Sequence, residues 1–449
     1  MYSGLRLLAG ATCLCVARLA VAAGADPQIA AALSQVSAAR IHQSVDKLVS
    51  FGTRSTLSAQ DPASIAAGHG IGAARDWLKE ELERYSRACG GCLTVQLDSF
   101  ISPAAERIPK PTPIGNVYAI MRGADPREAS RIVLVTGHYD SRITDVLDAK
   151  GTAPGANDDA SGTAVSLECA RVLSRLHFPA TIVFLAVAGE EQNLGGSEHF
   201  ARMARERGWN IEAVLNNDII GGDRNPAQDP GVVRVFSEGL PAVADERQIR
   251  EIRARGAESD SPSRELARYV EEGAALYQAG VRPLLVFRLD RYLRAGDHAS
   301  FNAQGYAAVR FTELREGYDH QHQNVRTEGG HEYGDLAKFV DFDYVARVAR
   351  LNAAILAELA AAPAPPANVE LLTATLSHES ALRWSAVPRA ARYEVLWRAT
   401  TSPRWEHVQD VGAHTSATLD VSKDEMIFAV RAIDAAGHRS LPVVPQPVR

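Results

Sequence analysis

The sequence predicts an α/β protein, in which a three-layer αβα domain with a central, mostly parallel sheet is followed by a C-terminal all-β sandwich. Residues 131–140, 180–191 and 213–218 are short apolar runs without a helical period, which is typical of buried strands. All three runs end in residues with imidazole or carboxylate side chains, and sites in open α/β sheets form at the carboxyl ends of strands. After residue 370, apolar and polar residues alternate in short segments separated by turn residues, which predicts the sandwich.

The domain boundaries follow from composition. Segment 361–370 is rich in proline and alanine and is therefore predicted to be a linker. It divides residues 23–362, the α/β domain, from residues 363–449, the sandwich. The pattern around Trp384 and Tyr393 resembles a fibronectin type III domain. The linker also favours a sandwich that is separable from the rest of the chain.

The remaining elements are predicted from their periodicity and composition. Helices are expected within residues 28–49, 71–86, 160–176, 262–279 and 335–361, and a strand over 91–100. The proline-rich segment 101–116 is expected to form a loop before the sheet. The excursion between the third apolar run and residue 297 is expected either to cap the site or to lie on the surface.

The first 22 residues have the pattern of a signal peptide. Arg6 precedes an apolar stretch, and the Ala-Val-Ala sequence at 20–22 provides a cleavage site. We therefore expect export to the periplasm or the extracellular medium. The apolar stretch is too short to span a bilayer, so no stable membrane anchor is expected. A net charge of −6 gives no indication of a nucleic-acid partner.

Five cysteines are present, two of them within the predicted signal peptide. Cys89 and Cys92 enclose two glycines, and in an exported protein this spacing predicts a small disulfide loop. A thioredoxin-like motif is the alternative, but the surrounding sequence lacks the matching βαβ pattern.

Five segments supply acids and histidines in an order that suits two metal ions: 137–142, 155–162, 186–200, 215–222 and 318–326. The candidate ligands in them are His138, Asp158, Glu191, Asp218 and His322. Two imidazoles and three carboxylates suit a pair of Zn²⁺ ions, each of which prefers about four nitrogen or oxygen ligands. Two metals about 3.5–4 Å apart need a bridging carboxylate, and they clamp the attacking and leaving oxygens of a reaction. Glu190, beside a candidate ligand, stands where a general base is needed.

These motifs, in this order, resemble the co-catalytic zinc aminopeptidase family, which includes secreted bacterial leucyl aminopeptidases. Glutamate carboxypeptidases and glutaminyl cyclases are more distant members of the clan. The resemblance covers about residues 115–360 and implies a zinc-exopeptidase fold. It implies the same five ligands, with Asp158 as the bridge, Asp140 as the support of His138, and Glu190 as the base.

Three further positions lie outside this set. Asp297 stands in a segment similar to the family's D-H-x-x-F, whose aspartate lies near the site. Tyr318 is a candidate for substrate contact. His320 is the alternative to His322 as the last ligand, and His322 matches the family's H-Q pattern.

The resemblance implies a secreted di-zinc aminopeptidase that removes N-terminal residues from peptide substrates. Glutamate carboxypeptidase-like and glutaminyl cyclase-like enzymes on the same fold are alternatives. A cyclase uses one zinc and does not need the His138 ligand, so His138 favours the two-metal enzyme. A non-catalytic binding protein, with the sandwich as its working part, is the alternative from another class. The complete set of ligands argues against it.

Overall fold

A computed structural model of the 449-residue chain describes residues 24–225 and 227–449. The predicted signal peptide, residues 1–22, lies outside the described residues. In the described part of the chain, no helix is both long and apolar enough to cross a bilayer.

An eight-stranded sheet forms the centre of the first domain. Its strands are β1 (Thr94–Ser102), β2 (Thr112–Met121), β3 (Arg131–His138), β4 (Thr181–Val187), β5 (Asn210–Asn217), β6 (Val232–Ser237), β7 (Arg282–Val286) and β8 (Ala308–Glu313). They lie in the order β1-β2-β4-β3-β5-β8-β6-β7. Strands β4, β3, β5 and β8 are consecutive and mutually parallel. The predicted α/β class with a mostly parallel sheet is therefore confirmed.

Helices cover both faces of the sheet. They are α1 (Pro27–Leu33), α2 (Ala38–Val49), α3 (Pro62–Ala66), α4 (Gly70–Ala88), α5 (Ala160–Leu173), α6 (Gly195–Glu206), α7 (Glu246–Ala254), α8 (Pro262–Leu276), α9 (Asp297–Asn302) and α10 (Phe342–Ala361). Helices α2, α5, α8 and α10 pack together on one face around the larger apolar core. Helices α6 and α9 cover the other face around a smaller one.

The central strands are apolar because both of their faces are buried. Every residue of β3 and β4 is buried, which explains their continuous apolar sequences. Helix α5 approaches β3 very closely at two glycines. A Cβ on Gly162 would lie 2.2 Å from the carbonyl oxygen of Asn217, and one on Gly137 would lie 2.4 Å from the backbone of Gly162. Only glycine fits this contact.

Two predicted boundaries are wrong. The last long helix begins at Phe342 and not at residue 335, because the Asp341 side chain accepts the N–H groups of Asp343 and Tyr344 and caps it there. A short 3₁₀ helix and a hairpin, β9 (Arg326–Glu328) with β10 (His331–Tyr333), precede it.

The predicted loop over 101–116 is shorter at both ends, because β1 extends to Ser102 and β2 begins at Thr112. Pro113 is tolerated in β2 because β4 pairs only with Val117–Met121, so the ladder on that side does not reach the proline.

The C-terminal part contains two further sheets. Their strands are β11 (Glu370–Leu372), β12 (Ser380–Arg383), β13 (Arg392–Ala399), β14 (His407–Asp410), β15 (Ser416–Leu419), β16 (Met426–Ile433) and β17 (Gln446–Val448). One sheet has the order β15-β12-β11-β17 and the other β14-β13-β16. Trp384 and Tyr393 lie in the core that both sheets share. The resemblance to a fibronectin type III domain stays a prediction.

The sandwich has a buried polar interface with the first domain, which the expectation of a separable sandwich did not include. Arg398 of β13 pairs with Asp260, and the two side chains are 2% and 1% exposed. The indole N–H of Trp405 donates to Glu265 at 3.0 Å, and the Tyr269 hydroxyl donates to the carbonyl of Arg439 at 2.7 Å. These polar groups are buried against α8 and depend on one another for partners. The linker composition gave no sign of this interface, which is formed by residues far from it in sequence.

We expect Arg398→Met to lower the free energy of unfolding of the full chain by about 3 kcal/mol, because it removes a buried partner of Asp260. The control is Arg404→Gln at the exposed pair with Glu271, which should cost less than about 1 kcal/mol. Urea denaturation measures both. Equal effects of the two variants would contradict a buried, stabilising interface.

Candidate metal centre

The candidate ligands meet at one edge of the sheet because the parallel strands end there. His138 is the last residue of β3, and Asp218 directly follows β5. Glu190 and Glu191 lie just beyond the end of β4. Asp158 comes from the loop before α5. These four segments are far apart in sequence. The strand register brings three of them to one edge, and the packing of α5 on β3 brings the Asp158 loop beside them.

Asp158 stands between two histidines. Its Oδ1 lies 3.1 Å from His138 Nε2, and its Oδ2 lies 2.8 Å from His322 Nε2. His138 Nε2 is also 3.8 Å from Asp218 Oδ1, and His322 Nε2 is 2.9 Å from Glu191 Oε1. The five predicted ligands thus form two groups of three that share Asp158, each compact enough to hold a metal ion.

The donor set fits a pair of divalent cations. Within the described residues, four buried ligand atoms make no hydrogen bond of acceptable geometry, although three of them lie close to another ligand atom: His138 Nε2, Glu191 Oε1, Asp218 Oδ2 and His322 Nε2. Buried polar atoms normally have partners, and these four converge on two points. Imidazole nitrogens and carboxylate oxygens are the ligands that zinc takes.

The carboxylates of the centre stabilise positive charge on the groups beside them. Burial opposes the charged form of His322, but the carboxylates of Glu191 and Asp158 raise its pKa to about 10. Burial also opposes the charged form of His138, yet nearby aspartates raise its pKa well above the usual value. The pKa of Asp158 is held well below its usual range, against burial, by these two imidazoles. The carboxylates that hold protons on these imidazoles would equally favour a metal cation, which replaces the protons when it binds.

Asp140 orients both His138 and the acidic pair. His138 Nδ1 lies 3.2 Å from the backbone oxygen of Asp140 and 3.4 Å from its Oδ1. The two carboxylate oxygens of Asp140 accept the backbone N–H groups of Glu190 at 3.3 Å and Glu191 at 3.1 Å, and the hydroxyl of Thr56 at 3.1 Å. A carboxylate on the second nitrogen of an imidazole fixes its tautomer and orientation. Asp140 is therefore a positioning residue for ligands from two strands.

Glu190 faces the cavity beside the two groups and is only partly buried. Burial raises its pKa well above the usual value, and the charges of Asp218, Glu191 and Asp297 raise it further. A carboxylate with a raised pKa is a better proton acceptor, as a general base requires.

Asp297 begins α9 and is completely buried. Its neighbour Gly296 is so near the centre that an added Cβ would lie 3.2 Å from Asp218 Oδ2. Burial raises the pKa of Asp297 to about 7, with contributions from Asp218 and Asp140. It lies behind the ligands, where the resemblance places it.

The structure separates His320 and Tyr318 from the centre. His320 Nδ1 lies 2.7 Å from Asp223, and its ring stacks on Phe339. Tyr318 is 62% exposed under Arg294, on the wall of a neighbouring cavity of about 770 Å³. His322, and not His320, therefore contacts the candidate ligands, and Tyr318 does not line the cavity that contains them.

Two residues that sequence reasoning missed hold the Asp158 loop. The carboxylate of Asp335 accepts the N–H groups of Asn157 at 2.8 Å and Asp158 at 2.7 Å. Gln321 Nε2 donates to Asp158 Oδ2 at 3.0 Å. Asp335, thirteen residues beyond His322, is close to the ligands through the hairpin.

Arg310 also supports the centre, in a role that sequence reasoning did not assign to it. It lies within β8, is fully buried, and places its guanidinium 3.0 Å from Asp218 and 2.9 Å from Asp290. Asp218 therefore has a permanent cation on one side, which holds the pKa of that carboxyl below its usual value despite burial. An arginine directly between the apolar residues Val309 and Phe311 was the available signal, because such a residue needs a buried partner.

Arg54 holds the floor of the centre together. Its guanidinium donates to the carbonyls of Tyr139 at 2.7 Å, Pro154 at 2.6 Å and Gly155 at 2.8 Å. It thereby links the end of β3 to the loop that carries Asp158. Its bonds go only to backbone oxygens, so no sequence pattern marks it.

The cavity over the centre has a volume of about 600 Å³, and strained backbone is concentrated around it. Of eight non-glycine residues with positive φ in the described chain, five line this cavity: Asn193, Leu194, Ile219, Leu293 and His322. Such conformations persist only where surrounding structure enforces them, and they cluster at functional sites.

Comparison with known proteins identifies the family. Residues 116–355 match peptidase family M28. The chain belongs to this family. Probable zinc metalloproteases of the fungi Leptosphaeria maculans and Pyricularia oryzae are 45% and 46% identical to it. The alignments cover 94% of this chain and 97% and 85% of those proteins. The M28 chain is therefore a hydrolase of peptide bonds.

Solved structures show the same fold. The LapA aminopeptidase of Legionella pneumophila superposes with a TM-score of 0.53 at 19% identity, over 77% of this chain and 78% of that one. The glutaminyl cyclase of Fimbriiglobus ruber superposes with a TM-score of 0.50 at 18% identity, over 72% and 95%. Likeness at this level of identity extends to the fold alone, so the reaction must be argued from the residues of the M28 chain.

We expect His322→Ala to weaken zinc binding strongly, because it removes a nitrogen donor from one group of three. His320→Ala is the matched control: it removes the same side chain two residues away, and zinc binding should not change. Calorimetric titration of metal-free protein measures both. A loss of zinc binding in His320→Ala, with His322→Ala unaffected, would exchange the roles of the two histidines.

Proposed function

We propose that the M28 chain is an exported di-zinc aminopeptidase. The observation that carries this proposal is the pair of three-residue groups that share Asp158, with Glu190 beside them in an accessible cavity. A shared carboxylate between two sets of nitrogen and oxygen donors is the arrangement that a two-metal hydrolase needs.

Each zinc ion has an evident set of ligands. His138 and Asp218 would hold one ion, Glu191 and His322 would hold the other, and Asp158 would bridge the two. The names of the fungal relatives support zinc as the metal. When bound, zinc polarises the scissile carbonyl and makes water a stronger acid.

Glu190 performs the proton transfers. Its carboxylate takes a proton from the attacking water and returns it to the amine that leaves. The hydrogen bond from its backbone N–H to the carboxylate of Asp140 holds it at the cavity wall. The raised pKa of Glu190 allows the same group to accept a proton in one step and donate it in the next.

The acids of the cavity favour cleavage from the amino end. Asp158, Glu190, Glu191 and Asp218 all line it, and this field attracts the cationic α-amine of a peptide. A carboxypeptidase is the second candidate, because arginines on the same wall could bind the opposite end. The form of peptide that is cleaved distinguishes the two.

Export is part of the proposal. The disulfide between Cys89 and Cys92 supports it, because disulfides persist in oxidising compartments. The residues that would direct export are 1–22.

We expect Glu190→Gln to retain about two zinc ions per chain, as in the unaltered protein, and to lower kcat by about 10²- to 10⁴-fold, because only the base is lost. Glu191→Gln should chiefly lose zinc. Glu198→Gln, an exposed change on α6, is the control and should alter neither quantity. Elemental analysis and turnover measure the set. One zinc per fully active chain would refute the two-metal centre.

The direction of cleavage is tested with one peptide in three forms: free, N-acetylated and C-amidated. Acetylation removes the cationic amine and should abolish cleavage, whereas the amide should still lose its N-terminal residue. Mass spectrometry of the products identifies the end that is trimmed. Cleavage of the acetylated peptide from its carboxyl end would replace the aminopeptidase with a carboxypeptidase.

A further inference from the structure

The cavity over the metal centre is lined by four arginines as well as by acids. They are Arg107, Arg142, Arg291 and Arg294. Arg107 comes from the β1–β2 connection, Arg142 from the segment after β3, and the other two from the loop between β7 and α9. Three separate segments thus bring guanidinium groups to one wall.

Two of these arginines already have carboxylate partners. Arg291 donates to Glu316 at 2.8 Å and contacts Asp290 at 3.2 Å. Arg294 contacts the same Glu316 oxygen at 3.1 Å. Glu316 is 1% exposed, so these pairs are part of the packed wall.

Arg107 and Arg142 differ from them. Arg107 donates to the backbone carbonyl of Glu191 at 3.2 Å, and among the described residues no carboxylate lies within 4.0 Å of its guanidinium. Arg142 donates to the carbonyls of Ile143 and Thr144. Its nearest carboxylate oxygen is Glu191 Oε2, at 3.9 Å. Both guanidinium groups flank Glu191 with most of their donors unused.

The acids of the cavity do not use these donors. Asp158 and Glu191 make their close contacts with the imidazole of His322, and Asp218 makes its own with Arg310. Among the described residues, these two half-buried cations beside the reacting centre therefore have no carboxylate oxygen closer than the 3.9 Å between Arg142 and Glu191. A guanidinium presents a planar fork of donors that matches a carboxylate.

We propose that Arg107 and Arg142 bind a carboxylate of the substrate and give the enzyme a preference for peptides with an anionic group close to the scissile bond. This inference rests on the proposed function, since it adds a substrate class to the same cavity. The acids bind the α-amine, and the two arginines bind the carboxylate.

The carboxylate has two sources, an acidic side chain or the free C-terminus of a short peptide. Three matched pairs of substrates separate them: glutamyl- against glutaminyl-anilide, Leu-Glu-amide against Leu-Gln-amide, and Leu-Gly against Leu-Gly-amide. The first two pairs test a side chain in the first and second residue, and the third tests the C-terminus. We expect the anionic member of at least one pair to have a kcat/KM about 10- to 100-fold higher, as charge-assisted hydrogen bonds provide.

The Arg107→Gln and Arg142→Gln variants test the assignment in the full-length zinc enzyme. Each should remove most of that preference by raising KM for the anionic substrate. Zinc content should not change, and kcat/KM for the neutral member of the pair should stay within a few fold of that of the unaltered enzyme. Arg107→Lys and Arg142→Lys should retain part of the anionic preference, because lysine keeps the positive charge but lacks the planar pair of donors of a guanidinium. Arg288→Gln is the control: Arg288 lies on the same loop as Arg291 but stacks over Tyr292 outside the cavity.

The outcomes are distinct. Cleavage of all pairs without an anionic preference overturns this inference and leaves the aminopeptidase intact. Equal losses on anionic and neutral substrates show that the arginines only hold Glu191, which also overturns it. Absence of cleavage of every substrate in the unaltered zinc enzyme refutes the proposed function itself.

Discussion

The parallel pairing of β3 with β4 on one side and β5 on the other is the constraint on which the site depends. It sets three strand ends at one edge, so that His138, the Glu190–Glu191 pair and Asp218 become neighbours. A shift of one residue in either register would turn His138 or Asp218 to the opposite face. The close contact of α5 at Gly137 and Gly162 holds the register and fixes where Asp158 enters.

The centre collects acids at a density that a folded protein tolerates only with compensation. Part of it comes from the imidazoles of His138 and His322, and part from the buried Arg310 behind Asp218. Asp140 and Asp335 instead accept backbone N–H groups. They keep adjacent loops at a fixed distance from the ligands. The candidate ligands are therefore held in position by charged residues around them. Two of these, Arg310 and Asp335, lie outside the recognised motifs.

The sequence allowed the central strands and the five ligands to be predicted, because both leave local patterns: apolar runs for β3, β4 and β5, and a residue such as His138 or Asp158 at a fixed place in a motif. Strands β2, β6, β7 and β8 were not predicted. The last three are short and are stabilised by pairing with distant segments. Arg54 and Asp335 act through the backbone of other loops, and the contact of Arg398 with Asp260 spans 138 residues. Interactions of this kind depend on the tertiary fold, so a single sequence does not display them.

The interface between α8 and the sandwich also has a consequence for the time at which the enzyme matures. A ribosome makes Asp260 and Glu265 well before their partners, since Arg398 follows Asp260 by 138 residues and Trp405 follows Glu265 by 140. During that interval Asp260 and Glu265 have only Arg268 of α8 as a cationic partner. The helix reaches its final environment only when the last strands have been synthesised. A chain that ends between His322 and Arg398 therefore carries every candidate metal ligand but lacks the contacts that bury Asp260 and Glu265.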